Sequence, residues 1–315
     1  MRNRVLCALV VSACGGSGEV RVDAAPDHGE VDAPAAVDAG PSCAVGGIAG
    51  ECKDVSLCTG DFSATPGHCP GPSSIQCCTP STAACTAADK PQPNVGLSEA
   101  AGQGGCPAGM LLVSATTPFC IDRYEASLVL ADGTPWSPYF NPGTASVRAR
   151  SIAGAVPQGY INGVQAGNAC VAAGKRLCTN TEWLRACRGP SSTTYPYGPT
   201  RQAGVCNDAR AKHPAVEYFG SSAPSTFSML DHPCINQLPD SLDRTGANTG
   251  CVTAEGAFDM MGNLHEWTSD SAGTFRGGYY VDTVMNGNGC LYVTTAHNTA
   301  HWDYSTGFRC CANAP

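Results

Sequence analysis

The sequence predicts a loop-rich, disulfide-stapled protein that mixes short strands with a few helices, and three observations carry that reading. Glycine (37) and proline (23) are abundant while charged residues make up only 14% of the 315-residue chain, a balance that suits many turns and few long helices. The 20 cysteines read as structural bridges, which persist only in an oxidising compartment. Short apolar runs bounded by turn residues share the later part of the chain with segments of helical spacing. A net charge of −8 with no basic patch excludes a nucleic-acid partner, because phosphates need clustered Lys and Arg.

Residues 1–13 carry Arg2 and Arg4, the apolar run Val5 to Val11, and then Ser12-Ala13 ahead of Cys14. A positive start, a brief hydrophobic run and small residues before a cysteine are similar to a lipoprotein-type signal with Cys14 as the lipidated residue, and the run is too short to span a bilayer. The expectation is an exported cell-envelope lipoprotein, at the outer membrane or surface and attached through its N-terminal lipid, or a secreted protein if the signal is an ordinary one. Residues 14–42 have no aromatic residue and no hydrophobic periodicity, so they are expected to form a disordered tether.

Removing Cys7 in the signal and Cys14 leaves 18 cysteines, an even number that allows complete pairing. Seven lie from Cys43 to Cys85 and eleven from Cys106 onward, so complete pairing demands at least one bridge between the groups. Residues 43–87 are expected to form a small cysteine-rich module, too small to hold a core without staples. Its strings Gly50-Glu-Cys-Lys-Asp-Val-Ser-Leu-Cys58 and Gly67-His-Cys to Cys77-Cys78 resemble a module found beside secreted cell-wall hydrolases. His68 with nearby thiolates is a zinc alternative there, outweighed by disulfides in an exported chain. Residues 88–104, with Pro91-Gln-Pro93 and a glycine-rich end, read as a second linker.

Residues 105–315 form the main domain. Met110-Leu-Leu-Val113 and Phe119-Cys-Ile121 suit strands, with Cys106 and Cys120 placed to bridge them. Gly163 to Gly174 has apolar residues at helical intervals. Thr179 followed by Glu182 is a capping-box signature, so a helix is expected through Trp183, Leu184 and Ala186 to the Gly189-Pro190 stop. The string Gly256 to Trp267 places Asp259, Asn263 and Glu266 around Gly262, so that oxygen ligands can converge on a hard cation, although Asp, Asn and Gly are also plain turn formers.

Five strings in order, Phe119-Cys-Ile-Asp-Arg-Tyr-Glu125, Ala173-Gly-Lys-Arg-Leu-Cys-Thr-Asn-Thr-Glu-Trp183, Tyr195-Pro-Tyr-Gly198, Gly262-Asn-Leu-His-Glu-Trp267 with Arg276-Gly-Gly278, and Gly307-Phe-Arg-Cys310, resemble the formylglycine-generating enzyme family, the sulfatase-modifying factors. The resemblance covers residues 105–315 and implies an α+β, C-type-lectin-like fold. It implies a structural calcium ion held by the Asp259 side chain, the carbonyls of Gly262 and Leu264, and the Glu266 side chain, with Asn207 at a second calcium position. It also implies a Cys170–Cys310 disulfide. Cys187 matches a family cysteine whose usual partner position falls on Thr294 or Thr295, which leaves Cys178, Cys290 or Cys311.

Active relatives bind copper through two cysteines in a C-x4-C arrangement after the R-G-G-S string and use dioxygen to oxidise a substrate cysteine to formylglycine. Here only Cys290 is present, the other position falls near Met285, Tyr279 stands for Ser, and His265 stands for the first Trp of W-E-W. A thioether cannot replace an anionic thiolate, so copper and formylglycine generation are not expected. The remaining pocket candidates are His265, Tyr279, Cys290, His297 and His301, beside Tyr280, Asp282, Trp302, Asp303 and Tyr304. They suit a polar, aromatic cleft for a peptide, protein or glycan. Two alternatives stay open: a lectin-like module on a lipid-anchored stalk, and a non-haem metal oxidase using His265, His297 and His301.

Overall fold

The computed structural model describes residues 41–45, 48–58, 62–80 and 85–315. The signal, Cys14 and nearly all of the tether lie outside the described residues. Among the described residues no helix is long and apolar enough to cross a membrane.

Four antiparallel strands build the cysteine-rich module: β1 (Ser42–Val45), β2 (Ile48–Asp54), β3 (Phe62–Thr65) and β4 (Ile75–Pro80), ordered β1-β2-β4-β3. A sheet this small needs staples, and Cys43–Cys77, Cys52–Cys69 and Cys58–Cys78 supply them. The sulfurs of Cys43, Cys52 and Cys69 lie within 4.8 Å of one another, but each is bonded to sulfur and none is a thiolate for zinc. Cys85, the last of this group, bonds to Cys234 in the main domain, the intergroup bridge that the cysteine count requires.

The main domain runs β5 (Met110–Val113), β6 (Phe119–Asp122), β7 (Ala126–Leu130), β8 (Val147–Ser151), α1 (Gly163–Ala172), β9 (Arg176–Leu177), α2 (Asn180–Arg188), α3 (Pro214–Phe219), β10 (His265–Trp267), β11 (Phe275–Arg276), β12 (Val293–Thr294), β13 (Thr306–Phe308) and β14 (Cys310–Asn313). One sheet has the order β5-β6-β14-β9 and another β12-β11-β10-β13, while β7 pairs with β8. Every residue of β6 is buried, which suits a strand covered on both faces. α1 begins at Asn162 and α2 at Thr179, each with a reciprocal capping box, to Gln165 and Glu182 respectively. Such caps contribute about 1 kcal/mol each.

Three of the five buried clusters among the described residues hold the main elements together. Leu111, Phe119 and Ile121 pack against Trp183 of α2. Ala166 and Ala169 of α1 pack with Trp267, Phe275 and Phe308, which brings β10, β11 and β13 under the helix. Tyr160, Tyr280 and Tyr304 form an aromatic layer with Ile235, against which Tyr279 and Trp302 pack. Cys106–Cys120, Cys170–Cys310, Cys178–Cys311, Cys187–Cys290 and Cys206–Cys251 cross-link these parts.

The stretch 88–104 departs from the linker expected of it, because it is packed along the domain. Asn94 imitates a strand partner: its Nδ2 donates to the Val156 carbonyl and its Oδ1 accepts from the Val156 amide, both at 2.8 Å. Glu99 accepts from the Ser151 amide at 2.9 Å and lies 3.5 Å from Arg150 and 3.6 Å from Lys175. Proline and glycine set the path of this strap, and its polar side chains attach it.

The Cys85–Cys234 bridge lands beside the turn Ile235–Gln237, where Asn236 donates to the Tyr304 carbonyl at 2.6 Å and accepts from the Tyr280 hydroxyl at 2.8 Å. We predict that Cys85→Ser combined with Cys234→Ser raises amide hydrogen exchange across residues 230–238 and at Tyr304 while leaving β5, β6 and β14 protected. Unchanged exchange in that segment would show that the bridge does not support the tyrosine layer.

Candidate functional site

The Gly256 to Trp267 string forms a tight turn that feeds β10. Asp259 and Asn263 both have φ 56° and Gly262 has φ 77°. A Cβ on Gly262 would sit 2.1 Å from the Asn207 carbonyl, so no other residue fits this position. Asn263 closes the turn: its Oδ1 accepts from the Asp243 amide at 2.9 Å and from Asn207 Nδ2 at 3.0 Å, and its Nδ2 donates to Glu125. Glu125 also accepts from the Leu264 amide at 3.0 Å, and Asp259 accepts from the Gly246 amide at 2.7 Å. Asn207 Nδ2 also donates to the Ser241 carbonyl, so this side chain braces the turn from outside.

Glu266 differs from the expected calcium ligand. Both of its oxygens accept from Arg309, at 2.6 Å each, and Oε2 also accepts from Trp183 Nε1 at 2.6 Å. The carboxylate is thus committed to a buried ion pair, and a cation there would have to compete with a guanidinium. The turn nevertheless gathers more carboxyl groups than cations. Glu125, Asp259 and Glu266 are all buried around the single Arg309. Burial, opposed by Gly246 and Arg309, pushes the Asp259 carboxyl up to about 7. Burial, with Asp259 and Glu266 adding to it, pushes Glu125 well above the carboxylate range.

β10, β11 and the loops after them assemble the histidines and tyrosines. His265 is buried between Phe275, at 4.6 Å between ring centres, and Tyr279, at 4.8 Å. Asn286 donates to the Tyr292 hydroxyl, which lies 3.4 Å from His265 Nε2. His265 Nδ1 lies 3.2 Å from the Ser305 hydroxyl, which donates to Asp303 at 2.7 Å, and His301 Nε2 lies 3.1 Å from the other Asp303 oxygen. With the His265 proton on Nδ1, every bond in this chain runs toward the Asp303 carboxylate. Although burial works the other way, hydrogen bonds from His301 and Ser305 hold Asp303 below the usual carboxylate range.

His297 stacks flat on His301, with ring centres 3.7 Å apart and planes 11° apart. Parallel imidazoles direct their lone pairs side by side, which does not chelate an ion. Among the described residues, no residue of this cluster joins a group with metal-ligand spacing. Cys290 is corrected as a pocket candidate: it is bonded to Cys187 and buried with Trp183 and Met260, and Met285 points to solvent at 82% exposure. A cavity of about 210 Å³ lies elsewhere, against Arg188, Pro190, Tyr197 and Thr253, and includes none of the histidines.

His213 was not anticipated. It precedes α3, between the Tyr195–Gly198 and Gly256–Trp267 strings, and its Nε2 lies 2.9 Å from the Tyr304 hydroxyl. Tyr292 was missed as well, although its place two residues after Cys290 is visible in the sequence.

The family model described as the sulfatase-modifying factor enzyme 1-like domain matches residues 132–314, and the chain belongs to that family. Its fold is the α+β, loop-rich and disulfide-stapled formylglycine-generating-enzyme fold. β5 and β6 precede the matched stretch yet pair into the sheet that holds β14. The chain is 29% identical over 170 residues to the inactive C-alpha-formylglycine-generating enzyme 2 of Mus musculus, and it spans only 50% of that relative's length and 50% of its own. Similar solved structures include PvdO from Pseudomonas aeruginosa (15% identity, 68% of this chain, 87% of that chain, TM-score 0.40). CarF is another (14%, 64% and 89%, TM-score 0.40).

Burial pushes the His265 imidazole down to about 4, outweighing Asp303 and Asp282. A depressed histidine favours the neutral form in the fold, so its contribution is complete above the unfolded value near 6.5 and is lost as pH falls toward 4. We expect the His265 ring resonances to stay those of a neutral imidazole down to pH 5, with a loss of stability on the order of 3 kcal/mol by pH 4. Titration of His265 near 6.5 by NMR would contradict this.

Proposed function

We propose that this chain is an exported, envelope-anchored member of the family that binds a ligand at the histidine–tyrosine cluster and does not generate formylglycine. The Cys187–Cys290 disulfide carries the reading. Thiolate coordination of Cu(I) needs anionic sulfur, and all 18 cysteines from Cys43 onward are paired in nine bridges. The name of the mouse relative, an inactive enzyme, points the same way. The bridges also support export, since disulfides on this scale persist outside the cytosol. In an assay with copper, oxygen and a Cys-x-Pro-x-Arg peptide we expect no aldehyde, and aldehyde formation would overturn the reading.

The same reading includes a structural calcium ion at the Asp259 turn. Three buried carboxylates against one guanidinium are the imbalance that a divalent cation relieves, and the donors are all oxygens. The Asp259 carboxylate and the carbonyls of Gly262 and Leu264 would hold it, and Glu266 would join only by giving up part of its pairing with Arg309. The ion would supply charge balance and no chemistry. Chelation should lower the melting temperature, by linkage worth about 3 kcal/mol when calcium exceeds its dissociation constant roughly a hundredfold. Asp259→Ala should remove that dependence. A metal-loaded protein whose melting temperature ignores chelator would exclude the site.

A further inference from the structure

The cavity of about 210 Å³ lies where three pieces of chain meet: the end of α2 with Gly189 and Pro190, the Tyr195-Pro-Tyr-Gly198 turn, and residues 252–254. Its walls are largely apolar, with Pro190, Pro196, Tyr197 and Val252 in the lining. The Tyr197 ring is held by stacking on Tyr195, with centres 5.7 Å apart and planes 11° apart. Pro190, Ser191 and Ala254 are exposed, so the cavity opens to solvent. It shares no residue with the histidine–tyrosine cluster and stands apart from whatever that cluster binds.

Arg188, the last residue of α2, brings the charge to this lining. Its Nε donates to the Thr193 carbonyl at 3.0 Å and its Nη2 to the Ser192 carbonyl at 2.5 Å. These two bonds take one edge of the guanidinium and fix its orientation. A guanidinium carries five N–H donors, so the edge between Nη1 and Nη2 is left without a partner among the described residues.

The other charges around the cavity are paired with one another. Glu255, which follows Ala254 in the chain, lies 2.7 Å from Arg185, and its second oxygen is buried 3.6 Å from where a Cβ on Gly189 would stand. Arg201 and Asp208, which act on Tyr197, are 2.8 Å apart. Two carbonyls at the end of α2 that would repel an anion are already capped: that of Arg185 accepts from the Gly189 amide at 3.1 Å, and that of Arg188 from the Thr193 amide at 3.0 Å and hydroxyl at 3.1 Å. Arg188 itself has no ion pair among the described residues.

A cation would therefore meet a guanidinium, and a neutral apolar molecule would leave its open edge unpaired. Phosphate needs more donors than one edge supplies and gains nothing from apolar walls. A carboxylate matches two parallel N–H groups, and its organic body suits proline, tyrosine and valine. We propose that the cavity is a binding site for a small organic carboxylate with an apolar body, bidentate on the open edge of Arg188 and packed against Tyr197 and Val252. A free acid and the C-terminus of a peptide share this chemistry.

The test is an NMR titration of the full chain with benzoate, N-acetylleucine, benzamide and inorganic phosphate, following Tyr197, Thr193 and Val252. Saturable shifts are expected with at least one of the two carboxylates, and the preference between them tells a free acid from a chain end. Benzamide, which keeps the ring and lacks the charge, should bind at least about tenfold more weakly than benzoate, and phosphate should not compete. Arg188→Gln should weaken the carboxylates about tenfold or more. Because Arg188 also holds the 189–193 loop, Ser191→Trp is the second variant: it starts from an exposed residue, leaves Arg188 in place and fills the cavity, so binding should be lost with the melting temperature unchanged. No saturable shift with either carboxylate, benzamide as tight as benzoate, phosphate as tight as the carboxylates, or full affinity in either variant would each overturn the proposal.

Discussion

The Arg309–Glu266 pair is the interaction on which the rest of this domain depends. Arg309 is wholly buried, its Nε and Nη2 bind the two oxygens of Glu266, and its remaining donors reach the carbonyls of Asp122, Phe258 and Asp259. Trp183 of α2 adds a third bond to Glu266. One guanidinium thereby joins the end of β6, the Asp259 turn, β10, α2 and the approach to β14. Desolvating two charges is costly, so the net gain from such a pair is small. The loss on breaking it is large, about 3–5 kcal/mol, because an unpaired charge would stay buried at the junction of two sheets.

This arrangement explains why the scaffold was readable from short strings. The residues that make the junction, Asp122, Trp183, Glu266 and Arg309, all lie inside the motifs that stood out, and each is buried with a specific partner. The Thr179 capping box was legible because its hydrogen bonds are local. An even cysteine count implied complete pairing and a bridge between groups, but the choice of Cys234 for Cys85 depends on tertiary contact that spacing does not encode. Glu266 was read as a cation ligand because a carboxylate looks the same in sequence whether an ion or a guanidinium faces it. The 88–104 strap was misread for a related reason: Asn94 and Glu99 act on backbone groups of Val156 and Ser151, which leave no mark in composition.

The candidate cluster was less legible. His265, Tyr279, His297 and His301 lie near one another in sequence, and the structure keeps them together. His213 arrives from the start of α3, where Ala215 packs in one cluster with Ile235, far from the others in sequence. Loops of this kind carry specificity because their backbone is fixed by a few cross-links while their side chains remain free to vary.

The disulfides also bear on what the cluster can do. Cys187–Cys290 places its sulfurs in the hydrophobic core beside Trp183 and Met260. A thiolate pair poised for copper must stay reduced and reachable, whereas a buried bridge is valuable because it is neither. The two uses of the same position exclude each other. Where the bridge is kept, the side chains left near the surface are imidazoles engaged in hydrogen bonds or stacking, tyrosine hydroxyls bonded to each other, and aromatic faces. Such a surface offers aromatic faces and hydrogen-bonded polar groups in place of a thiolate pair.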